Sequence, residues 1–266
     1  MAFIENFFTF FGSGFLSIID KLSKFGEFII FQIKLLPLFF SFPLRIKEIF
    51  HQMEVIGVSS SGVIALTAIF TGMVESVQLY QGFHEFGAEE MMGYTIFISI
   101  TKELSPVFGA LMLTSRAISA MAAELGTMRV TEQIDALDTL AVNSKKYLII
   151  PRIVATTLTL PVLIIMFDFL GNFSAYMITT KVLGVNPSAY ENTISTFLHF
   201  SEIGTGIIKG FVFGFLISSI GTYVGYFTKG GARGVGLATT TAVVYSAITI
   251  FAANYFLSTI FLFLHW

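Results

Sequence analysis

Residues 147–177 read YLIIPRIVATTLTLPVLIIMFDFLGNFSAYM, and the charged side chains in this stretch are Arg152 and Asp168. A helix of this length exceeds the roughly 20 residues needed to cross about 30 Å of hydrocarbon. Backbone polar groups in lipid must be satisfied within the segment, so a helix is the form it takes. Four further stretches meet the same condition, at 55–81, 91–121, 204–228 and 236–264. Composition agrees: hydrophobic residues make up 55% of the chain and charged residues 12%, against about 25% charged for a soluble domain. The fold class expected is an all-α integral membrane protein of about five transmembrane helices, preceded by an N-terminal amphipathic interfacial or elbow helix. No hydrophilic block is large enough to form a soluble domain.

The chain opens differently. In residues 1–27 the polar side chains Asn6, Thr9, Ser13, Ser17, Asp20, Lys24 and Glu27 recur every three or four positions among phenylalanines and leucines. This pattern suits a helix lying in the membrane interface. Pro37 and Pro43 then interrupt the chain, so residues 28–44 are expected to form an elbow or a re-entrant piece. Glu5, the lack of a basic start and the lack of an Ala-x-Ala site lead to the expectation that this segment is retained rather than cleaved. Residues 1–53 are therefore set apart as an interfacial and elbow region, and 54–266 as the membrane domain.

Placement of lysine and arginine orients the spans. With the N-terminus cytoplasmic, the cytoplasmic segments hold Lys21, Lys24, Lys34, Arg45, Lys47, Arg116, Arg129, Lys145, Lys146, Arg152, Lys229 and Arg233, and the other side holds Lys181. The positive-inside rule favours this arrangement. The loop at 82–90 carries Glu85, Glu89 and Glu90 on the outer side, and His265-Trp266 is expected there as well.

Between spans two and three lies a charged island, residues 122–152. Thr131 reads as a helix N-cap with Glu132 and Asp135 in the first turn, predicting a short helix at about 131–141. Ile134, Leu137, Leu140 and Ala141 fall at helical spacing on one face, and Glu132, Asp135 and Asp138 on another. So short a helix is marginal alone. It is either a solvated loop helix or a piece that docks into a groove on another protein.

The wording of the island closely resembles the signature of the MlaE/YrbE permease family. The matching residues are Glu124, Gly126, Met128, Val130, Glu132, Gln133, Ile134, Asp135, Ala136, Leu137, Pro151 and Arg152. The likeness continues through Lys102-Glu103-Leu104-Ser105-Pro106, Arg116, Gly72 to Gln78 and Ala238-Thr239-Thr240. Two departures stand out: Ser144 where an Asn-Pro pair is usual, and Ser105 in place of a usual glycine. The resemblance implies the membrane subunit of a bacterial ABC system that carries lipids between membranes, with residues 54–266 as the permease domain. It implies a homodimer in the bacterial inner membrane, a cytoplasmic ABC ATPase that binds ATP and magnesium, a periplasmic MCE-domain protein, a small STAS-domain protein as a further candidate, and phospholipid cargo. The chain itself would hold no cofactor or metal and would not be catalytic. On this footing Glu124, Arg129, Glu132, Gln133, Asp135 and Leu137 are the expected ATPase-coupling residues, and Glu75, Gln78, Phe83, Lys102, Glu103 and Leu104 the expected substrate-cavity residues.

Features inside the spans invite readings of their own. Gly206, Gly210 and Gly214 recur every fourth residue, followed by Gly221 and Gly225, which lets two backbones approach closely, within one subunit or between two. Lys102 and Glu103 lie mid-span, where a charge costs roughly 2.5–3.5 kcal/mol on insertion scales. Adjacent helical residues point about 100° apart, so at least one of them needs another partner. Glu75, Glu103 and Asp168 could instead form a proton relay, which would make the protein an ion-coupled secondary transporter. No inverted repeat supports that class, and it gives the docking helix no purpose.

Other classes fare worse. His51, His84, His199 and His265 lie far apart in sequence and match no metal-ligand pattern. No Gly-x-Ser-x-Gly elbow is present. The Gly230–Gly236 cluster is not followed by Gly-Lys-Ser/Thr and reads as a turn rather than a phosphate loop. Cysteine is absent, which removes disulfides and thiolate chemistry, and a net charge of −2 gives no sign of nucleic-acid binding.

Overall fold

The computed structural model describes residues 22–41 and 45–264. The amphipathic reading of residues 1–21 and the placement of His265-Trp266 lie outside the described residues. The chain divides into two units, 1–44 and 45–266. In the first, residues 22–39 form one helix, α1. The elbow expected at Pro37 is not a break here. Pro37 sits in the last turn of α1, where few backbone bonds remain to be lost, and the helix ends two residues later.

The second unit contains five helices long and apolar enough to cross a membrane: α2 (Ile46–Glu85), α3 (Glu89–Val130), α5 (Lys145–Val182), α7 (Phe200–Tyr226) and α8 (Gly231–Phe263). Each span lies where expected, but every helix begins earlier than its apolar stretch and the first three also end later, because their polar ends continue as helix. α2 takes in Lys47, Glu48, His51 and Gln52, which the sequence had assigned to the elbow region. Two short helices join the spans: α4 (Gln133–Thr139) between α3 and α5, and α6 (Pro187–Phe197) between α5 and α7. The described residues contain no strand.

α5 is the centre of the bundle. It packs along α2 on one side and α7 on another, with α3 touching all three and α8 lying against α3 and α7. Burial follows this order: half of the most apolar window of α5 and of α7 is buried, against 33% for α2 and 22% for α8. The outer helices turn Leu66, Phe70, Phe251 and Phe256 outward, which suits helices bathed in lipid.

Glycine decides how close the helices come. A Cβ at Gly72 of α2 would overlap the Gly171 carbonyl oxygen of α5, and one at Gly206 of α7 would overlap the Thr101 carbonyl oxygen of α3. Gly210 and Gly214 press against Pro161 and Thr157 of α5, and Gly221 and Gly225 against Ile118 and Ala122 of α3. The glycine stripe of α7 therefore packs within one subunit, against α3 and α5.

Several spans contain a wider π-type turn. One of them covers Ile100–Leu104 of α3, others Thr114–Ile118 and Lys145–Ile149. Such turns re-aim side chains and often sit at functional sites. The first places Lys102 and Glu103 just before Pro106, whose ring nitrogen has no hydrogen for the Lys102 carbonyl. At the end of the bundle away from α4, Asn186 caps α6 by accepting from the Ser188 N–H at 2.9 Å, with Pro187 in the first turn. Tyr190 of α6 is buried there, and burial together with neighbouring Tyr176 pushes its phenol ionisation up, keeping it neutral.

Candidate functional site

The charges within the spans form a connected network that the sequence only half disclosed. Lys209 of α7 is 1% exposed, and its ammonium makes three short contacts. It donates to the Lys102 carbonyl oxygen at 2.7 Å, to Ser258 Oγ of α8 at 2.8 Å, and pairs with Glu103 Oε1 at 2.8 Å. An ammonium has three hydrogens, so it is fully used. That carbonyl lies four residues before Pro106, whose nitrogen has no hydrogen to donate. Glu103 accepts in turn from Asn254 Nδ2 at 2.9 Å and from Ser258 Oγ at 2.9 Å.

The partner expected for Glu103 is thus Lys209 rather than a residue beside it. The signal was present: Lys209 is the charge buried in the apolar run of α7, between Gly206 and Gly210. Counting loop charges for orientation passes over it. Asn254 and Ser258, one turn apart on α8, carry no such signal, because polar residues of that size are common in spans.

A hollow of about 250 Å³ opens beside the network, lined by Lys102, Glu103, Thr205 and Lys209 with Phe261 and Leu262 as its apolar wall. Glu103 is the open member of the pair, with 45% of its side chain exposed. Glu75, Gln78, Phe83 and Leu104 are not part of this lining. Glu75 faces Ser99 of α3 farther along α2, Gln78 is exposed, and Phe83 is half-buried near the end of α2. Asp168 faces Ser105 of α3, on the α5 side. The three acids considered for a relay all border α3, but at separate places.

The second cluster is at the α4 end. Helix α4 starts at Gln133, not at Thr131. The Thr131 hydroxyl donates back to the Thr127 carbonyl at 2.8 Å and finishes α3. The turn between the helices is made by Glu132 in the left-handed region, φ 59°. α4 buries Ile134 completely, leaves Leu137 half-buried and exposes Leu140 by 73%. Three of the coupling candidates are tied down by ion pairs within the chain. Arg129 Nη1 meets Asp135 Oδ1 at 2.6 Å, and Glu124 Oε1 meets the buried Arg152 of α5 at 2.8 Å. Glu132 and Gln133 are exposed. The α4–α5 loop returns through Asp138, which accepts from the Ser144 N–H at 3.2 Å, and through Ser144 Oγ, 2.9 Å from the Tyr226 hydroxyl.

The family profile described as Permease MlaE matches residues 49–260. Among similar proteins, a probable ABC transporter permease protein of Rickettsia bellii is 40% identical over 89% of this chain and 91% of its own length. The intermembrane phospholipid transport system permease protein MlaE of Haemophilus influenzae is 33% identical over 82% of this chain and 83% of its own. The chloroplastic protein TRIGALACTOSYLDIACYLGLYCEROL 1 of Arabidopsis thaliana is 38% identical over 81% of this chain and 61% of its own.

Proposed function

The chain belongs to the MlaE permease family, and from that premise we propose that it is the membrane subunit of an ATP-driven carrier of two-tailed phospholipids. In this reading two copies form the permease in a bacterial inner membrane, with the N-terminus and α4 cytoplasmic. A separate ABC ATPase binds ATP and magnesium and docks on α4, and an MCE-domain protein caps the opposite side. A small STAS-domain protein is a further candidate partner.

The observation that carries the proposal is the placing of α4. It is a seven-residue helix held rigidly at the lysine- and arginine-rich end of the bundle, with Leu140 turned out to water. A helix this short is marginal alone, and one that shows acidic side chains and Leu140 to the outside suits docking into a groove on a partner. The hollow beside Lys102, Glu103 and Lys209 supplies the other requirement. It sets Lys102, as a cation for a phosphate, next to the apolar wall of α8, whose outward phenylalanines suit acyl chains. Displacement of α4 by the ATPase would then reshape this hollow through the helices that line it.

Two outcomes are expected. Leu140→Glu leaves the membrane domain intact, since the side chain makes no core contact, yet the ATPase no longer co-purifies with it. Full retention of the ATPase in that variant would sink the docking role. In vesicles, lipid movement by the complete complex stops when ATP hydrolysis is blocked and continues when the proton gradient is collapsed. Movement driven by a pH jump in the isolated subunit would favour the ion-coupled alternative built on Glu75, Glu103 and Asp168.

A further inference from the structure

We propose that Tyr226 and Ser144 form a latch that hands the movement of α4 to α7, and so to the Lys209 network. The inference rests on the permease reading above. Ser144 departs from the Asn-Pro pair of the family pattern, so the contact belongs to this chain and does not follow from the resemblance.

The geometry is that of a stapled lever. α4 is bracketed by Glu132 and Ala141, two non-glycine residues in the left-handed region, both at φ 59°. Such conformations are strained for residues with a side chain and persist only where the surroundings hold them. What holds them is on both sides. At the start, Asp135 is pinned by Arg129 at the end of α3. At the finish, Asp138 accepts the Ser144 N–H, and Ser144 Oγ meets the Tyr226 hydroxyl. The Arg129 guanidinium also lies 5.9 Å from the Tyr226 ring, so both arms of the lever converge on one side chain.

Ser144 and Tyr226 are 1% and 6% exposed, so their contact is held among packed neighbours. Both also line a hollow of about 410 Å³ together with Asp138 and Val142, which leaves room for the loop to move. Tyr226 is the last residue of α7. From it the helix runs unbroken to Lys209, about 25 Å away at 1.5 Å per residue. A rigid helix moved at one end moves at the other. Without the latch α4 remains joined to α3 and α5 by the chain and still receives the ATPase, but α7 is no longer pulled with it.

The test uses the complete complex reconstituted in phosphatidylethanolamine and phosphatidylglycerol vesicles, with a fluorescent phospholipid as the probe. ATP hydrolysis and lipid moved are read together, as lipid per ATP. Tyr226→Phe and Ser144→Ala each remove one oxygen atom and are expected to assemble and hydrolyse ATP within about twofold of the unaltered complex. Lipid per ATP falls at least about fivefold in each, the lower end of typical coupling energies. In the double variant it falls no further, since both changes break the same link. The proposal is overturned if either single variant keeps the original ratio, or if the double loss is the product of the single losses. It is equally overturned if hydrolysis and abundance fall together at a constant ratio, which is the mark of a merely structural contact. Failure of the unaltered complex to move lipid with ATP is a different result, and removes the permease reading itself.

Discussion

Replacing Gly72 or Gly214 by alanine is expected to abolish accumulation of folded protein in the membrane, whereas Gly62→Ala leaves it unchanged or slightly stabilised. Between helices in lipid there is little hydrophobic drive, and association depends on close packing and on hydrogen bonds across the interface. At Gly72 a methyl group would overlap the Gly171 carbonyl oxygen and Ser174 Oγ. Ser174 Oγ also donates to the Ile69 carbonyl at 2.9 Å, and Ser76 Oγ to the Ala175 carbonyl at 3.1 Å, so the same displacement would break the bonds joining α2 to α5. At Gly214 the methyl would stand 2.9 Å from Thr157 Cα and 3.0 Å from the Thr156 carbonyl oxygen.

Apart from Ser174 Oγ these obstacles are backbone atoms and cannot rotate aside. Overpacking by a methylene typically costs about 1–3 kcal/mol where side chains can give way, and here whole helices must part. Gly62 has nothing within 4 Å of the added carbon, and alanine in a helix interior is favoured by roughly 1 kcal/mol over glycine. The amount of folded protein recovered from the membrane measures the contrast. Equal recovery of Gly72→Ala and Gly62→Ala would show that α2 and α5 are not held by this contact.

The spans were legible because hydrocarbon imposes a length and a composition that few sequences meet by chance. The glycine stripe was legible as packing for a similar reason, since small residues every fourth position have one main use in a membrane. Its partner was not, because α3 and α5 offer ordinary residues such as Thr101, Ile118 and Thr157 to it, and what matters is where their atoms come to lie in the fold. The start of α4 was misread on a local rule. Thr-Glu-Gln looks like a cap and first turn, yet α3 persists to Val130 and takes the Thr131 hydroxyl for itself. The reversal then falls on Glu132, and no propensity marks a glutamate for the left-handed region. The π-type turn at Ile100–Leu104 is invisible to hydropathy for a related reason: it changes the direction of side chains without changing their character. Lys102 and Glu103 could be flagged by cost alone, but where they point depends on that turn and on Pro106.

That cost gives the last expected result, which separates a structural pair from a cargo site. Glu103→Leu leaves the Lys209 ammonium 1% exposed with two neutral acceptors, Lys102 O and Ser258 Oγ. Uncompensated buried charges of this kind cost about 3–5 kcal/mol. Lys209→Met leaves the carboxylate of Glu103, which is 45% exposed and still bonded by Asn254 and Ser258. The smaller loss, about 1–2 kcal/mol, reflects a charge that can rehydrate through the hollow. The asymmetry follows from exposure and not from the pair's attraction, which both variants remove equally. The double variant should regain most of the stability, as replacement of a buried pair by apolar residues of similar volume usually does. If the hollow receives a phospholipid headgroup, lipid transport does not return with stability, because the groups that face the headgroup are gone. Melting temperature and photocrosslinked lipid, measured on the two single variants and the double, separate the cases. Recovery of both quantities in the double variant would reduce Glu103 and Lys209 to a fastening between α3, α7 and α8.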